Sequence, residues 1–267
     1  MSDILKPLTV DVVERARFKV IKDFTSWFTS FAFLNQHNGF RPGKLHAFIG
    51  TTGGGKSTLM RSILIDALKL NPDKRVGVYL SEESKDDLRA CMSLIEGVNM
   101  DGAVVISEID SKKEALSVFK DLIATSHFDL IFIDNITTSL HYNDQKPDKQ
   151  FQFVQSLKEL ASKSRVPIVM IAHTAAGVSD NMGRLINEND IRGSKSVVNL
   201  CEYLYILQRF KAGETFFPTV TIKKSREFAI DKSLFWLKYE KAQMIYSGEL
   251  YLSFEDFKKI YKNRNAL

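Results

Sequence analysis

Cysteine is nearly absent from this 267-residue chain: only Cys91 and Cys201 occur, far apart and without His or Cys at ligand spacing. That excludes a disulfide framework and a Cys/His zinc site, and both thiols are expected to be buried in a reducing compartment. No run of about 18 apolar residues occurs, so no helix is expected to cross a bilayer. The N-terminal stretch to Val10 carries charges and a proline but no long apolar segment, which is not the pattern of a secretory signal. Internal repeats and low-complexity stretches are also missing. The expected location is the cytoplasm, that of the host if the gene is viral.

Enough apolar residues are present, 44%, to build one large α/β domain with small additions. The net charge of +5 and a pI of about 9.0 permit a nucleic-acid partner without demanding one.

Apolar residues recur at three or four over residues 12–31 (Val13, Ala16, Val20, Phe24, Trp27, Phe28, Phe31), which predicts an amphipathic helix or a pair of them. Trp27, Phe28 and Phe31 would pack on this chain's own core or on a neighbouring subunit. After the turn cluster at 38–43, strands are expected at 44–49, 75–80, 103–106, 129–133 and 166–172. Helices are expected at 56–70, from Ser84, at 112–126 and at 148–163. Short, continuously apolar strands alternating with helices predict a mainly parallel twisted sheet covered on both faces. Segments 203–207, 219–223 and 233–239 read as antiparallel strands at the C-terminal edge, separated by loops holding Gly213 and Pro218. The tail, with Ser253 and Asp256 as a capping box, reads as a basic helix. The domain reading is a helical segment at 1–33, an α/β core at 34–250 and a basic C-terminal helix at 251–267.

Gly50, Thr51, Thr52, Gly53, Gly54, Gly55, Lys56 and Ser57 satisfy G-x-x-x-x-G-K-[ST] between a predicted strand and a predicted helix. Curled glycines point successive N–H groups at phosphate oxygens, and the helix start, through Thr58, adds its partial positive charge. Lys56 supplies charge to the β- and γ-phosphates, and Ser57 offers a hydroxyl to Mg²⁺. The expected ligands are therefore ATP and Mg²⁺. The run Leu130–Ile133 ends in Asp134, a second carboxylate for the metal side. Glu82, with Glu83 in reserve, is the candidate to activate water, the alternative being solvated acids in the first turn of the next helix. His173 ends the next strand, where a polar group can sense the γ-phosphate.

At this point the chain resembles the RecA superfamily of P-loop NTPases. It is most similar to DnaB-type replicative helicases and to the helicase half of phage primase-helicases and Twinkle. The resemblance is carried by Gly39–Leu45, the phosphate loop, Tyr79–Glu83, Asp134 with His173, Asp190–Ser194, Arg209 and Ile222–Arg226. It implies a RecA-like core that works in a ring, a hexameric homo-oligomer with ATP sites at subunit interfaces. It implies single-stranded DNA as the track and a role in DNA replication. It further implies that Arg226 is an arginine finger acting across the interface with Lys224 as companion. A solvated basic face is what composition alone suggests for these two. Arg209 and Tyr239 match positions that sandwich the adenine. DNA contact is expected from the loops after Asp134 and His173, through Lys146, Lys149, Asn181 and Arg184. No primase domain is present, so a primase or a loader protein is an expected partner, and the small architecture suggests a phage or plasmid. Alternatives are a non-unwinding relative (recombinase-like, clock-type or helicase-loading) and a binding module that uses ATP as a switch.

Overall fold

The computed structural model describes residues 27, 29–36, 38–107, 128–139, 142, 145–180, 184–191, 196–212, 215–227, 230, 234–253, 255 and 259. Expected features at 1–26, the helix at 112–126, Phe28, Asn181, Arg192–Ser194 and most of the basic tail lie outside them.

The short helix α1 (Ala32–Asn35) precedes β1 (Leu45–Gly50) and α2 (Lys56–Leu70). Then come β2 (Val76–Leu80), α3 (Lys85–Ser93), β3 (Ala103–Ser107) and β4 (Leu130–Asp134). They are followed by α4 (Pro147–Ser164), β5 (Ile168–His173) and α5 (Ser196–Leu200). Strands β6 (Tyr203–Ala212), β7 (Thr215–Ser225), β8 (Leu234–Glu240) and β9 (Ile245–Leu252) complete one nine-stranded sheet. The order is β3-β2-β4-β5-β1-β6-β7-β8-β9. The first six in that row are parallel, and β7, β8 and β9 add antiparallel pairings. This is the helix-flanked, mainly parallel α/β sheet with an antiparallel C-terminal edge that the periodicity predicts.

The central strands are apolar because both faces are covered. Every residue of β1, β2, β4 and β5 is buried. One face packs on α2 and α3, the other on α4. Alternate side chains point to opposite faces, so Phe132 joins the first layer while Ile131 and Ile133 join the second. Helix α2 stops at Leu70, before Pro72, and Ser84 caps α3 by accepting from Asp87 N–H.

Three readings need correction. Trp27 and Thr29–Phe31 are not helical: Trp27 pairs antiparallel with Phe40, and the Asn35 side chain bonds the Thr29 backbone. Trp27 and Phe31 are buried against this chain's own core, and Phe31 and Phe33 rings lie 5.6 Å apart. Pro218 is not in a loop but inside β7, opposite Arg209. It is tolerated because β7 and β8 pair only through Thr219, Val220 and Thr221, so no ladder needs its missing N–H on that side. Finally, β9 was not foreseen: its sequence does not alternate, the apolar residues falling at 245–246 and 250–252 with Ser247, Gly248 and Glu249 between them.

Candidate active site

Parallel strands bring their C-terminal ends to one edge, and the register shows what gathers there. Gly50 pairs with His173, and Leu80 pairs with Asp134. The phosphate loop, the acids after β2, Asp134 and His173 therefore converge.

The loop geometry depends on glycine at its end. Gly55 caps α2 with φ 91°, a left-handed conformation, and a Cβ there would sit 2.5 Å from the Tyr246 hydroxyl oxygen. A Cβ on Gly54 would meet Thr51 Oγ1 at 2.7 Å. A side chain at either position would collide with its neighbours, so the loop keeps this curl only with glycine there. Lys56 lies under this curl with its ammonium donating to the Thr51 carbonyl at 2.6 Å. It is 5% exposed, and burial pulls its pKa down to about 8, against the opposing pull of Asp134, Glu82 and Asp180.

Asp134 is buried at the end of β4. Burial raises its pKa to about 6, the Ser57 hydroxyl bond opposes the shift, and the charges of Glu83 and Glu82 add to it. Its Oδ2 is buried and has no hydrogen-bond partner among the described residues. A carboxylate oxygen in that state, beside a hydroxyl, fits a divalent cation. Among the described residues no cluster of three or more His, Cys, Asp or Glu forms a dedicated metal cage. Ser57 and Asp134 would therefore hold Mg²⁺ only together with phosphate oxygens and water, as the P-loop arrangement requires. When bound, Mg²⁺ and ATP supply the metal charge and the scissile phosphoanhydride.

The turn after Asp134 is tied to the segment after β2. Ser81 N–H donates to the Asp134 carbonyl at 2.7 Å, and Ser81 Oγ bonds the Asn135 backbone at 3.0 Å. Asn135 Oδ1 accepts from Thr137 Oγ1, Thr138 N–H and Thr138 Oγ1. These bonds hold Glu82 and Glu83, which precede the cap of α3 and are not part of its first turn. Glu82 Oε1 stands 3.5 Å from His173 Nε2, whereas Glu83 Oε1 is turned to Arg61 Nη1 at 3.7 Å. Glu82 is thus the more exposed of the two acids and the one that faces the histidine. His173 contacts Thr52 Oγ1 through Nδ1 at 3.4 Å and Asn135 Nδ2 through Nε2 at 3.0 Å. With its proton on Nδ1 it satisfies Thr52 and Asn135, and with the proton on Nε2 it donates to Glu82. The imidazole links the phosphate loop to the acid.

A family model described as an AAA domain matches residues 35–177, more than half of the chain. The chain belongs to this AAA-domain family. It is accordingly a P-loop ATPase of the broad class, and the AAA domain implies nucleotide binding. A search of curated proteins finds no match. The matched span of the AAA domain includes the phosphate loop, Glu82, Asp134 and His173 and stops before β6.

Outside that span, Arg209 and Tyr239 flank the same end of the sheet. Leu207 pairs with Gly50, so Arg209 projects just past the phosphate loop. Its guanidinium carbon sits 4.5 Å from the Phe216 ring centroid. Tyr239 is half exposed and 5.7 Å from the Tyr246 ring, whose hydroxyl abuts Gly55. Because β7 and β8 diverge beyond Thr219, a cleft of about 560 Å³ opens there, lined by Phe216, Pro218, Trp236 and Tyr239. It has an aromatic wall and lies one tyrosine away from the phosphate loop, which suits a purine base.

The remaining candidates stand apart. Lys146 caps α4 and Lys149 is in its first turn, both exposed. Arg184 is forked onto Asp190, with contacts of 2.6 and 2.7 Å. Lys224 donates to the Val198 carbonyl at 2.6 Å, and Arg226 donates to the Asn199 carbonyl at 3.0 Å. These two lie at the opposite end of the sheet from the phosphates. Tyr203 pairs with Ser225 while Leu207 pairs with Gly50, and the strand between those levels spans about 13 Å.

Sequence reasoning missed Asn135, Thr137, Phe216, Tyr246 and Gln208. Buried Gln208 donates to the Asp180 and Arg184 carbonyls and accepts from Ile186 N–H, clamping the loop after β5 to β6. The available signal was a neutral polar residue directly after the apolar run Tyr203–Leu207 of β6.

Proposed function

We propose that this chain is the ATP-hydrolysing motor of a ring-shaped, hexameric DNA helicase that moves on single-stranded DNA during replication. Its ATP sites are completed at subunit interfaces. The observation that carries this reading is the division of catalytic groups between the two ends of one sheet. Cradle, metal-side carboxylate, acid and histidine share one end, while Lys224 and Arg226 lie at the other, bonded to the Val198 and Asn199 carbonyls and farther from the phosphate loop than an arginine reaches. A cation at that place serves a nucleotide only if it belongs to another copy, where it would stabilise charge on the γ-phosphoryl oxygens. Arg209 and Tyr239 hold the base, and Lys56, Ser57 and Thr58 hold the phosphates. Exposed Lys146 and Lys149 are the better-placed DNA contacts, because Arg184 is already paired. The natural context would be a phage or plasmid replicon in a bacterial cytoplasm, with a separate primase or loader.

The commitment of Arg184 to Asp190 favours a second reading, a RecA-superfamily ATPase that does not unwind. Strand displacement on a forked duplex decides between them. ATP-dependent unwinding with single-strand-stimulated hydrolysis supports the helicase; hydrolysis that ignores DNA, with no displacement, supports the alternative.

A further inference from the structure

The turn that follows β7 is held more firmly than a solvated basic face requires. Arg226 N–H donates to the Glu202 carbonyl at 3.2 Å. The next residue, Glu227, is gripped from three sides. Its Oε2 accepts from Arg41 and from the Tyr203 hydroxyl, the latter at 2.9 Å, and its Oε1 meets Lys44 Nζ at 3.0 Å. Arg41 and Tyr203 are themselves buried. Burial of Glu227 favours its neutral form, but the bonds from Lys44 and Tyr203 and the charge of Arg41 outweigh it and keep the pKa below the ordinary carboxylate range. Arg41 and Lys44 belong to the turn that feeds β1, so the clamp joins the Arg226 turn to the strand that ends in the phosphate loop.

We propose that Glu227 is a positioning residue: anchored by Arg41, Lys44 and Tyr203, it sets the turn that presents Arg226 to the ATP site of a second copy of this chain. The proposal rests on the trans-acting reading of Arg226. The clamp matters because charge stabilisation in a transition state is geometric. A displacement of about 1 Å costs on the order of a hundredfold in rate.

The test uses the full chain assembled with ATP and single-stranded DNA. Glu227→Gln is expected to lower kcat by ten- to a hundredfold while leaving the KM for ATP within about twofold, since each subunit's own phosphate loop is intact. A merely structural defect would move both. The decisive step mixes Glu227→Gln subunits, which keep a working cradle, with Lys56→Ala subunits, which keep a working Arg226. The mixture should exceed the summed activity of the two variants alone, as should a reference mixture of Arg226→Ala with Lys56→Ala. If the reference complements but Glu227→Gln has wild-type kcat or fails to complement, the positioning role is overturned and the trans reading stands. If the reference does not complement, the trans reading fails and takes this inference with it. Should Glu227→Gln not fold, Tyr203→Phe removes one grip without stranding a charge. It should show a three- to tenfold loss of kcat that the same mixing restores, and wild-type kcat in that variant overturns the proposal.

Discussion

Asp134→Asn should make the nucleotide-free protein more stable while abolishing its activity. Above pH 6 Asp134 is ionised while buried, and burial has raised its pKa from the ordinary 3.8 to about 6. That difference corresponds to about 3 kcal/mol of native-state cost. Asparagine removes the charge and keeps a partner for Ser57, but it also deprives the buried Lys56 ammonium of an attractive neighbour, so about 1–3 kcal/mol is the expected net gain. For a chain of this size that raises Tm by about 3–9 °C. The pH dependence has a definite sign. A carboxyl with a raised folded pKa destabilises the fold in full above about 6, and the cost fades as pH falls and vanishes only well below 4, where it is protonated in both states. Thermal melts with chelator at pH 8, 6 and 4.5 should show the gain shrinking on acidification. A Tm at pH 8 equal to or below that of the wild type, or a gain independent of pH, would refute the reasoning.

Other outcomes follow from the same geometry. Mg²⁺-dependent ATP affinity should weaken by up to tenfold per pH unit below about 6, because a protonated Asp134 cannot ligate the metal; calorimetric titrations across pH 5–8 would measure it. Glu82→Gln should lower kcat by about 10²–10⁴ with little change in ATP binding, whereas Glu83→Gln, turned toward Arg61, should cost much less; steady-state kinetics separate the two. Phe216→Ala and Tyr239→Ala should each weaken ATP binding by about threefold to tenfold, an aromatic-stacking magnitude, without affecting triphosphate binding, in competition assays.

Much of the active site was legible because its parts obey local rules. The phosphate loop is contiguous, and Asp134 and His173 each end an apolar run, so a parallel sheet brings them together without further information. The sequence sets Glu82 and Glu83 side by side, and only the folded turn shows Glu83 facing Arg61. The edge was harder to read. Pro218 looks like a loop residue until one sees that β7 and β8 have already parted, and the cleft made by that parting involves residues distant in sequence. Tyr246 meets Gly55 from β9, whose sequence lacks the alternation that would mark a strand. Glu227 carries no signal in the sequence, since its partners Arg41, Lys44 and Tyr203 become neighbours only when β6 lies beside β1.

The central claim is that hydrolysis requires a cation from a second copy. The direct measurement is specific ATPase rate against protein concentration, with and without single-stranded DNA, for wild type and Arg226→Ala. The account predicts a wild-type rate that climbs as the protein assembles and increases with DNA, and a mutant rate lower by about 10³ at every concentration. A rate per subunit that is independent of concentration and unchanged in Arg226→Ala would contradict it.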